Sequence, residues 1–323
     1  MGDARGENKE KARKEGTRVA QHMPEMITDR IGYFPGSVNI GLVLGTSGAI
    51  LIDSGLDAQT AKKIKKGLEA MPQPLAAIVQ THAHADHFGG NAYLLTCWPE
   101  AVVYAPPLEE AIIRYPLLEP IYLGMGAQPL AELCNKFLLA EASRVDRLLP
   151  AEGELDIDGV RFEVISLPGH SWQQVGLVCD GICFAADSFF GEETLKKHKL
   201  PFLVDAHETL RSLVKLLESG CRGYLPGHGP YTTSPEAILT KNIHWHRRLY
   251  DVIEEILAEE KTLEQTLALL CERLHISIQN ATSYVLYRTA LMGYLIGLVK
   301  EERVSYRFAA NQWLWSRKGT GQG

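Results

Sequence analysis

Three histidines and an aspartate are concentrated in the segment THAHADH, as His82, His84, Asp86 and His87. Neutral imidazoles and carboxylates are ligands that suit zinc, iron and manganese. Because alternate residues of an extended chain face the same side, His82 and His84 are expected to share one metal ion. Asp86 and His87 follow after the chain has turned, and we expect them to bind a second ion nearby.

Three further candidate ligands each follow a predicted strand: His170 in SLPGHS, Asp187 in CFAADS and His228 in YLPGHG. An open α/β sheet places its ligands in such strand-end loops, and a Pro-Gly turn points the next side chain outwards. A single histidine would more often be structural, but four matching contexts in this order predict a metal site. We interpret the remaining histidines as structural or solvated: His22 in the leader, His198, His207, His244, His246 and His275. Of these, His244 and His246 are predicted to lie on a polar helix face.

The elements that must position these residues alternate between strands and helices. Short apolar runs over residues 27–53 predict strands, and LAAIVQTH is a buried strand that runs directly into the histidine segment. Helices are predicted over 57–70, 108–115 and 206–219, the first and last capped by Asp57 and Asp205. Strands followed by helices between later strands indicate a layered α/β architecture with the helices outside.

Two stretches within this body raise separate questions. Asp180-Gly181 between two apolar runs predicts a hairpin, so Cys179 and Cys183 are expected to face a core rather than to bind metal. Residues 115–143 are apolar and interrupted by prolines. They are expected to form a lid or a binding wall, or else only to pack, and both interpretations stay open.

The last part of the chain is predicted to be a separate unit. A long helix over 235–259 is followed by two helices and a hairpin formed by VSYRFAANQWLWS, an order that resembles a winged-helix module. We therefore predict a disordered leader over 1–24, a catalytic domain over 25–234 and a C-terminal helical, winged-helix-like domain over 235–323.

Net charge, apolar runs and cysteine spacing argue against several classes of protein. The 323 residues carry a formal charge of −6, which argues mildly against a protein built mainly to hold nucleic acid. No apolar run reaches the roughly 18 residues of a membrane span, and the first residues lack the apolar core of a secretory signal. The six cysteines have no framework spacing, as expected of reduced thiols in a cytoplasmic protein.

Taken together, THAHADH, His170, Asp187 and His228 resemble the metallo-β-lactamase superfamily over about residues 27–232. The resemblance implies a four-layer αβ/βα sandwich. It assigns His82, His84 and His170 to one metal ion, Asp86, His87 and His228 to a second, and Asp187 to both. It also implies that Asp53 in LIDSG supports the site by orienting a ligand histidine. All seven ligand positions match the family pattern, and His84, where the diiron flavoproteins have glutamate, argues against that branch.

The resemblance implies a dinuclear metal-dependent hydrolase that uses a metal-bridging hydroxide. Its cofactors would be two divalent ions, zinc in the first instance, with iron or manganese as alternatives. Asp86 would be the catalytic carboxylate that orients the nucleophile or accepts its proton. No substrate-binding residue is identified.

The sequence favours an ester, a lactone or a thioester as the bond that is cut, without choosing among the three. CFAADSFF resembles the strand end of glyoxalase II and lactone hydrolases, but Ala186 replaces the usual glycine. Phe189 and Phe190 stand where lactonases often have tyrosine. The apolar segment from Tyr115 to Leu139 favours a small-molecule substrate with an acyl or aromatic portion.

Three alternatives use the same residues. A metal-dependent nuclease or phosphodiesterase is disfavoured, because the predicted helix over 280–299 holds only Arg288 as a cation, and Trp313 and Trp315 are expected to pack. A mononuclear-iron persulfide dioxygenase and a non-catalytic binding protein are the others, both disfavoured by the complete ligand set. We interpret the C-terminal unit as structural, pocket-forming or the interface of a homodimer.

Overall fold

A computed structural model describes residues 22–319, so the predicted leader lies outside the described residues except for residues 22–24. The first of two large sheets has seven strands in chain order. Strands β1 to β4 are antiparallel, and β4 to β7 are parallel. The strands are β1 (Glu25–Met26), β2 (Ile31–Phe34), β3 (Ile40–Leu44), β4 (Ala49–Ile52), β5 (Leu75–Val79), β6 (Val102–Ala105) and β7 (Arg147–Leu148).

The second sheet has five strands in the order β12-β11-β10-β9-β8, with only β11 and β12 parallel. They are β8 (Gly153–Ile157), β9 (Val160–Ser166), β10 (Val175–Cys179), β11 (Ile182–Ala186) and β12 (Gly223–Pro226). Asp180 and Gly181 link β10 to β11 with φ of 47° and 73°, the left-handed backbone that a tight hairpin requires. Cys179 and Cys183 are buried strand residues, which confirms the hairpin prediction.

Helices cover the outer faces of the two sheets. The core between the sheets joins side chains of both, such as Ile50 of β4 and Phe162 of β9. Ile64 packs on the outside of the first sheet and Leu213 on the outside of the second, which confirms the four-layer αβ/βα sandwich. The helices of this part are α1 (Ala58–Glu69), α2 (Ala85–Phe88), α3 (Asn91–Cys97), α4 (Glu109–Arg114), α5 (Leu118–Leu123), α6 (Glu192–His198) and α7 (Ala206–Glu218).

The caps of α1 and α7 agree with the sequence. Asp57 accepts hydrogen bonds from the backbone N–H groups of Gln59 and Thr60 at the start of α1. Asp205 does the same for His207 and Glu208 at the start of α7. Each cap satisfies backbone donors that have no partner within the helix, so both helix starts are fixed by local sequence.

The C-terminal part contains three helices and a hairpin. They are α8 (Glu236–Ile256), α9 (Leu263–Arg273), α10 (Ala281–Lys300), β13 (Val304–Ala309) and β14 (Gln312–Arg317). Their core, which includes Tyr294, Leu298 and Trp315, is continuous with residues of α7 such as Leu210. The two helices and hairpin occur in the predicted order, whereas the winged-helix comparison and the domain boundaries stay predictions.

One histidine of α8 differs from its prediction. His246 is buried, not on a polar face, and its Nδ1 lies 2.7 Å from the hydroxyl of Tyr294 in α10. The sequence of α8 marks this position as polar, but a helix from much later in the chain packs over it. His244, two residues earlier, is exposed as predicted.

The apolar segment after α4 is held against α10. It contains α5 and a 3₁₀ turn (Ala131–Leu133), and Leu133 and Leu138 pack with Val285. Glu132 accepts hydrogen bonds from Ala281 N through its carboxylate (3.1 Å) and from Thr282 Oγ1 through its carbonyl (2.9 Å). The start of α10 therefore fixes this segment in place. Over residues 22–319, we find no helix that combines the length and the apolar character of a membrane span.

Candidate metal centre

Strand ends bring the predicted ligands together. His82 follows β5, Asp187 follows β11 directly, and His228 follows β12. Helix α2 begins at Ala85, which turns Asp86 and His87 back towards His82. The ligand atoms converge in three overlapping groups, each with its atoms within 4.8 Å of one another: His82, His84 and His170; His82, His87 and Asp187; Asp86, His87 and His228.

The first group is a cluster of three imidazoles. His84 Nδ1 lies 3.1 Å from His82 Nε2 and 2.9 Å from His170 Nε2. Around a tetrahedral zinc ion with Zn–N bonds of about 2.0–2.1 Å, two ligand nitrogens are separated by about 3.3 Å. The three nitrogens are therefore spaced nearly as one metal ion would hold them.

Asp187 lies between the ligands predicted for the first ion and those predicted for the second. Its Oδ1 is 3.4 Å from His87 Nε2, and its Oδ2 is 3.3 Å from both His170 Nε2 and His228 Nε2. Asp86 Oδ2 is 3.4 Å from the same His228 nitrogen. One carboxylate thus faces ligands of both predicted ions, the position that a bridging ligand requires.

The outer nitrogens of these imidazoles fix their tautomers. The Nδ1 atoms of His87, His170 and His228 lie 2.7, 3.0 and 2.7 Å from oxygens of Asp53, Phe202 and Ser37. These carboxylate and carbonyl oxygens can only accept, so each Nδ1 carries a proton and each Nε2 is the nitrogen that faces the other ligands. Histidines that bind metals have this arrangement, with the second nitrogen donating to an oxygen.

Two buried atoms of the centre have no hydrogen-bond partner, His87 Nε2 and Asp187 Oδ1. A lone pair facing a carboxylate oxygen is unfavourable unless a proton or a cation lies between them. Gly227 leaves room for one, since a Cβ there would lie 2.1 Å from Asp187 Oδ1. The donor set and its spacing therefore fit divalent metal ions.

Electrostatics hold His82, His84 and Asp187 in their metal-binding forms, but not His87 and His228. Burial opposes protonation of these two rings, yet the adjacent Asp187 outweighs it and raises the pKa of both, that of His228 to about 10, so a metal ion would have to displace a proton from each. Burial lowers the pKa of His84 to about 3 and the pKa of His82 well below its usual value. Burial opposes ionisation of Asp187, but the adjacent His228 and His87 outweigh it and hold the pKa of Asp187 low. Neutral imidazoles and an ionised carboxylate are the forms that ligate metals.

Asp53 links two parts of the centre. Its Oδ2 lies 2.7 Å from His87 Nδ1, and its Oδ1 accepts a hydrogen bond from the backbone N–H of Thr81 (2.8 Å). The Thr81 hydroxyl also donates to Asp53 and lies 3.0 Å from His82 Nδ1. The sequence assigns Thr81 no role of its own, because in the motif it is only a neighbour of the histidines.

Two residues at the centre adopt left-handed backbone conformations. Asp53 has a φ of 66° and Ala186 a φ of 50°. Such a residue costs on the order of 1–3 kcal/mol unless it is glycine, and the surrounding structure must compensate. The backbone of Ala186 therefore explains why glycine suits this position in the related motif, and Asp187 is aimed into the centre from it.

A cavity of about 370 Å³ opens beside the ligands. The metal-ligand candidates on its surface are His84, Asp86, His170, Asp187 and His228. Its apolar wall is formed by Phe137, Leu138, Phe190, Pro201, Phe202 and, from α10, Leu286. Phe137 and Leu138 belong to the apolar segment 115–143, so this segment forms part of the cavity wall.

Four polar side chains complete the cavity: Glu119, Thr194, Lys197 and His198. From the sequence, His198 is expected to be structural or solvated, and none of the other three is singled out. Glu119 is buried, while Lys197 and His198 belong to the last turn of α6. A short helix after Asp187 carries no motif, so only the fold shows that its side chains reach the cavity.

Comparison with known proteins identifies the family. The sequence model of the metallo-beta-lactamase superfamily matches residues 33–228, more than half of the chain. A probable metallo-hydrolase of Streptococcus pyogenes serotype M6 is 27% identical over 199 residues, which are 60% of this chain and 80% of that protein. Hydroxyacylglutathione hydrolase of Xylella fastidiosa is 29% identical over 44% of this chain, and the match spans only 41% of that enzyme.

Two comparisons extend into the C-terminal part. An atrochrysone carboxyl ACP thioesterase of Aspergillus fumigatus is 22% identical over 84% of this chain and 79% of its own length. The crystal structure of a metallo-beta-lactamase family protein from Thermus thermophilus superimposes with a TM-score of 0.66 at 18% identity, over 87% of this chain and 94% of that one. This chain belongs to the metallo-beta-lactamase superfamily.

Proposed function

We propose that this metallo-hydrolase cleaves an ester, lactone or thioester bond of a small acyl substrate at a centre of two divalent metal ions. The observation that carries the proposal is that Asp187 lies within 3.4 Å of His170, His87 and His228, ligands assigned to both ions, on the surface of a cavity with an apolar wall. His82, His84 and His170 would hold one ion, Asp86, His87 and His228 the other, and Asp187 both. When bound, two such ions would supply Lewis-acid chemistry: a lowered pKa for the attacking water and a polarised scissile carbonyl.

The residues of the chain hold, orient and shield the reactants. Asp86 is partly exposed to the cavity, and its carboxylate lies beside His228. It is the carboxylate that we assign to orient the attacking water and accept its proton. The outer hydrogen bonds of His87, His170 and His228 keep their rings in one orientation throughout.

The walls of the cavity favour an acyl group with an apolar portion. Six apolar side chains flank the ligands, and the segment that supplies two of them is clamped by α10. The names of two relatives, hydroxyacylglutathione hydrolase and an acyl carrier protein thioesterase, support a thioester as the first substrate to test. Lys197 adds a cation beside the cavity that would favour an anionic group on the substrate or its leaving group.

Activity on a panel of thioesters, lactones and aryl esters tests this proposal. Metal-loaded enzyme should turn over at least one class, and His84→Ala should abolish that turnover. His244→Ala removes an exposed histidine of α8 and is the matched control, which should retain wild-type activity. Cleavage of RNA with inert acyl substrates would support the nuclease instead. Oxygen consumption on adding persulfide would support the iron dioxygenase.

We keep five further expectations as proposals. The domain boundary is placed between residues 234 and 235, and the C-terminal unit is assigned the task of forming part of the cavity. Zinc is the first metal to test, with iron and manganese as the alternatives. The cytoplasmic location and the homodimer stay predictions.

A further inference from the structure

We propose that Glu109 is a positioning residue. It joins the loop that carries His82 and His84 to the loop that carries His170. This inference rests on the proposed metal centre and concerns how its ligands are held. Glu109 is only 1% exposed, and it lies in the first turn of α4, outside every segment that the family resemblance singles out. Its carboxylate reaches both loops at once.

The two oxygens of Glu109 address different loops. Oε2 accepts a hydrogen bond from the backbone N–H of Ala83 (3.0 Å), the residue between His82 and His84. Oε1 accepts from Ser171 Oγ (2.7 Å) and from the backbone N–H of Gln173 (2.9 Å). Ser171 directly follows His170. One side chain therefore spans the loops that carry all three imidazoles of the first group.

The backbone beside Glu109 is bent to deliver this carboxylate. Leu108 has a φ of 66°, a left-handed conformation that is costly for leucine. Leu108 directly precedes the buried Glu109. Such an unfavourable backbone conformation persists only where contacts of the surrounding structure hold it in place. A backbone hydrogen bond from Val175 N to Thr81 O (3.1 Å) also joins the two segments, so Glu109 supplements a contact that already brings them together.

Only a carboxylate satisfies these three contacts. Both of its oxygens accept, and all three partners donate. Glutamine has one accepting oxygen and one donating nitrogen. If the glutamine oxygen faces Ser171 and Gln173, its NH₂ group faces the backbone N–H of Ala83, and two donors meet. If the amide is flipped, the NH₂ group faces the backbone N–H of Gln173, and again two donors meet. Glu109→Gln therefore keeps the shape and leaves at least one loop without its anchor.

The expected effect is a loss of metal affinity at one of the two ions. Residues that support metal ligands from behind change metal affinity by about 10- to 100-fold when substituted. We expect Glu109→Gln to weaken one of two Zn²⁺-binding steps by about 10-fold, because the other group includes His228 from a third loop. Glu110→Gln, one residue on and paired with the partly exposed Arg114, is the matched control and should bind Zn²⁺ as the wild-type protein does.

Three measurements on the full chain test the inference: Zn²⁺ titration against a chromophoric chelator, the absorption spectrum of the Co²⁺-substituted protein, and urea unfolding of the metal-free protein. Glu109→Gln should weaken one binding step and alter the Co²⁺ spectrum, and Ser171→Ala, which removes one donor only, should do so to a smaller extent. If Glu109→Gln does not fold, Ser171→Ala carries the test.

Wild-type Zn²⁺ affinities and an unchanged Co²⁺ spectrum in these variants would overturn the inference, even if urea unfolding shows a loss of stability. A wild-type chain that binds no divalent ion would overturn the proposed metal centre, and this inference with it.

Discussion

Asp53 Oδ2 lies 2.7 Å from His87 Nδ1, and both side chains are buried. On the opposite side of the ring, His87 Nε2 has no hydrogen-bond partner. The carboxylate makes the nitrogen nearer to it the protonated one and leaves the other to face Asp187. Asp53 would thus set which atom of His87 faces the proposed metal ion.

Replacement of Asp53 by asparagine should weaken metal binding. Asparagine has a single accepting oxygen, so it cannot serve both His87 and the N–H of Thr81 as Asp53 does. We expect metal affinity to fall by about 10- to 100-fold, as measured by chelator competition. Asp29→Asn, at an exposed position, is the control. Equal affinities in the two variants would show that Asp53 does not support the centre.

Replacement of Gly227 by alanine should block the space beside Asp187. The added Cβ would lie 2.1 Å from Asp187 Oδ1 and 2.9 Å from His87 Cε1, far closer than two such atoms approach. We expect a loss of at least about 10-fold in metal affinity, since a shift of ligands by a few tenths of an ångström is costly at a metal site. Isothermal titration calorimetry with Zn²⁺ measures it. A variant that binds Zn²⁺ normally would mean that the ligands adjust freely.

Replacement of Leu286 by alanine should change the choice of acyl group. Leu286 belongs to α10 and borders the cavity, so its removal enlarges the space for the acyl portion. For the preferred substrate we expect KM to rise by about 10-fold with little change in kcat, because one or two lost methylene contacts are worth about 1–3 kcal/mol. Larger acyl groups should be affected less.

A series of esters of increasing acyl size measures this effect. Ile296→Ala, on an exposed part of the same helix, is the control. If both variants show the same dependence of kcat/KM on acyl size, α10 does not form the acyl-binding wall.

His246 should make stability depend on pH. Burial lowers its pKa to about 4, from an ordinary value of 6.5, and its Nδ1 lies 2.7 Å from the hydroxyl of Tyr294. Between pH 6.5 and 4 the unfolded chain binds a proton that the folded protein excludes. The free energy of unfolding should therefore fall by up to about 3 kcal/mol as the pH drops through this range.

Urea unfolding of the metal-free protein, which removes the contribution of bound metal, measures this dependence. His246→Gln should show a shallower decline than the wild-type protein, whereas His244→Gln should follow the wild type. Parallel declines in all three proteins would contradict the assignment to His246.

Local sequence predicted much of the fold and of the site. The caps Asp57 and Asp205 and the Asp180-Gly181 hairpin depend on neighbouring residues, and the structure confirms each. The convergence of His82, His170 and His228 depends on loops that follow predicted strands, and these loops do come together. Signals of this kind act over a few residues, so a single sequence displays them.

Contacts between distant segments were not predictable. The carbonyl of Ser37 orients His228 from 191 positions away, and a backbone carbonyl carries no signature in the sequence. Glu109 resembles any acidic residue at a helix start, although it is buried between two loops. The sequence of α8 alone puts His246 on a polar face, but α10 covers this position in the folded protein.

Elemental analysis of the purified protein, after loading with Zn²⁺ and removal of excess metal, tests the central claim most directly. We predict two divalent ions per chain in the wild-type protein and fewer in Asp187→Ala, since that carboxylate faces both ligand groups. A wild-type chain that retains no divalent ion, or a single iron whatever metal is supplied, would contradict the dinuclear centre.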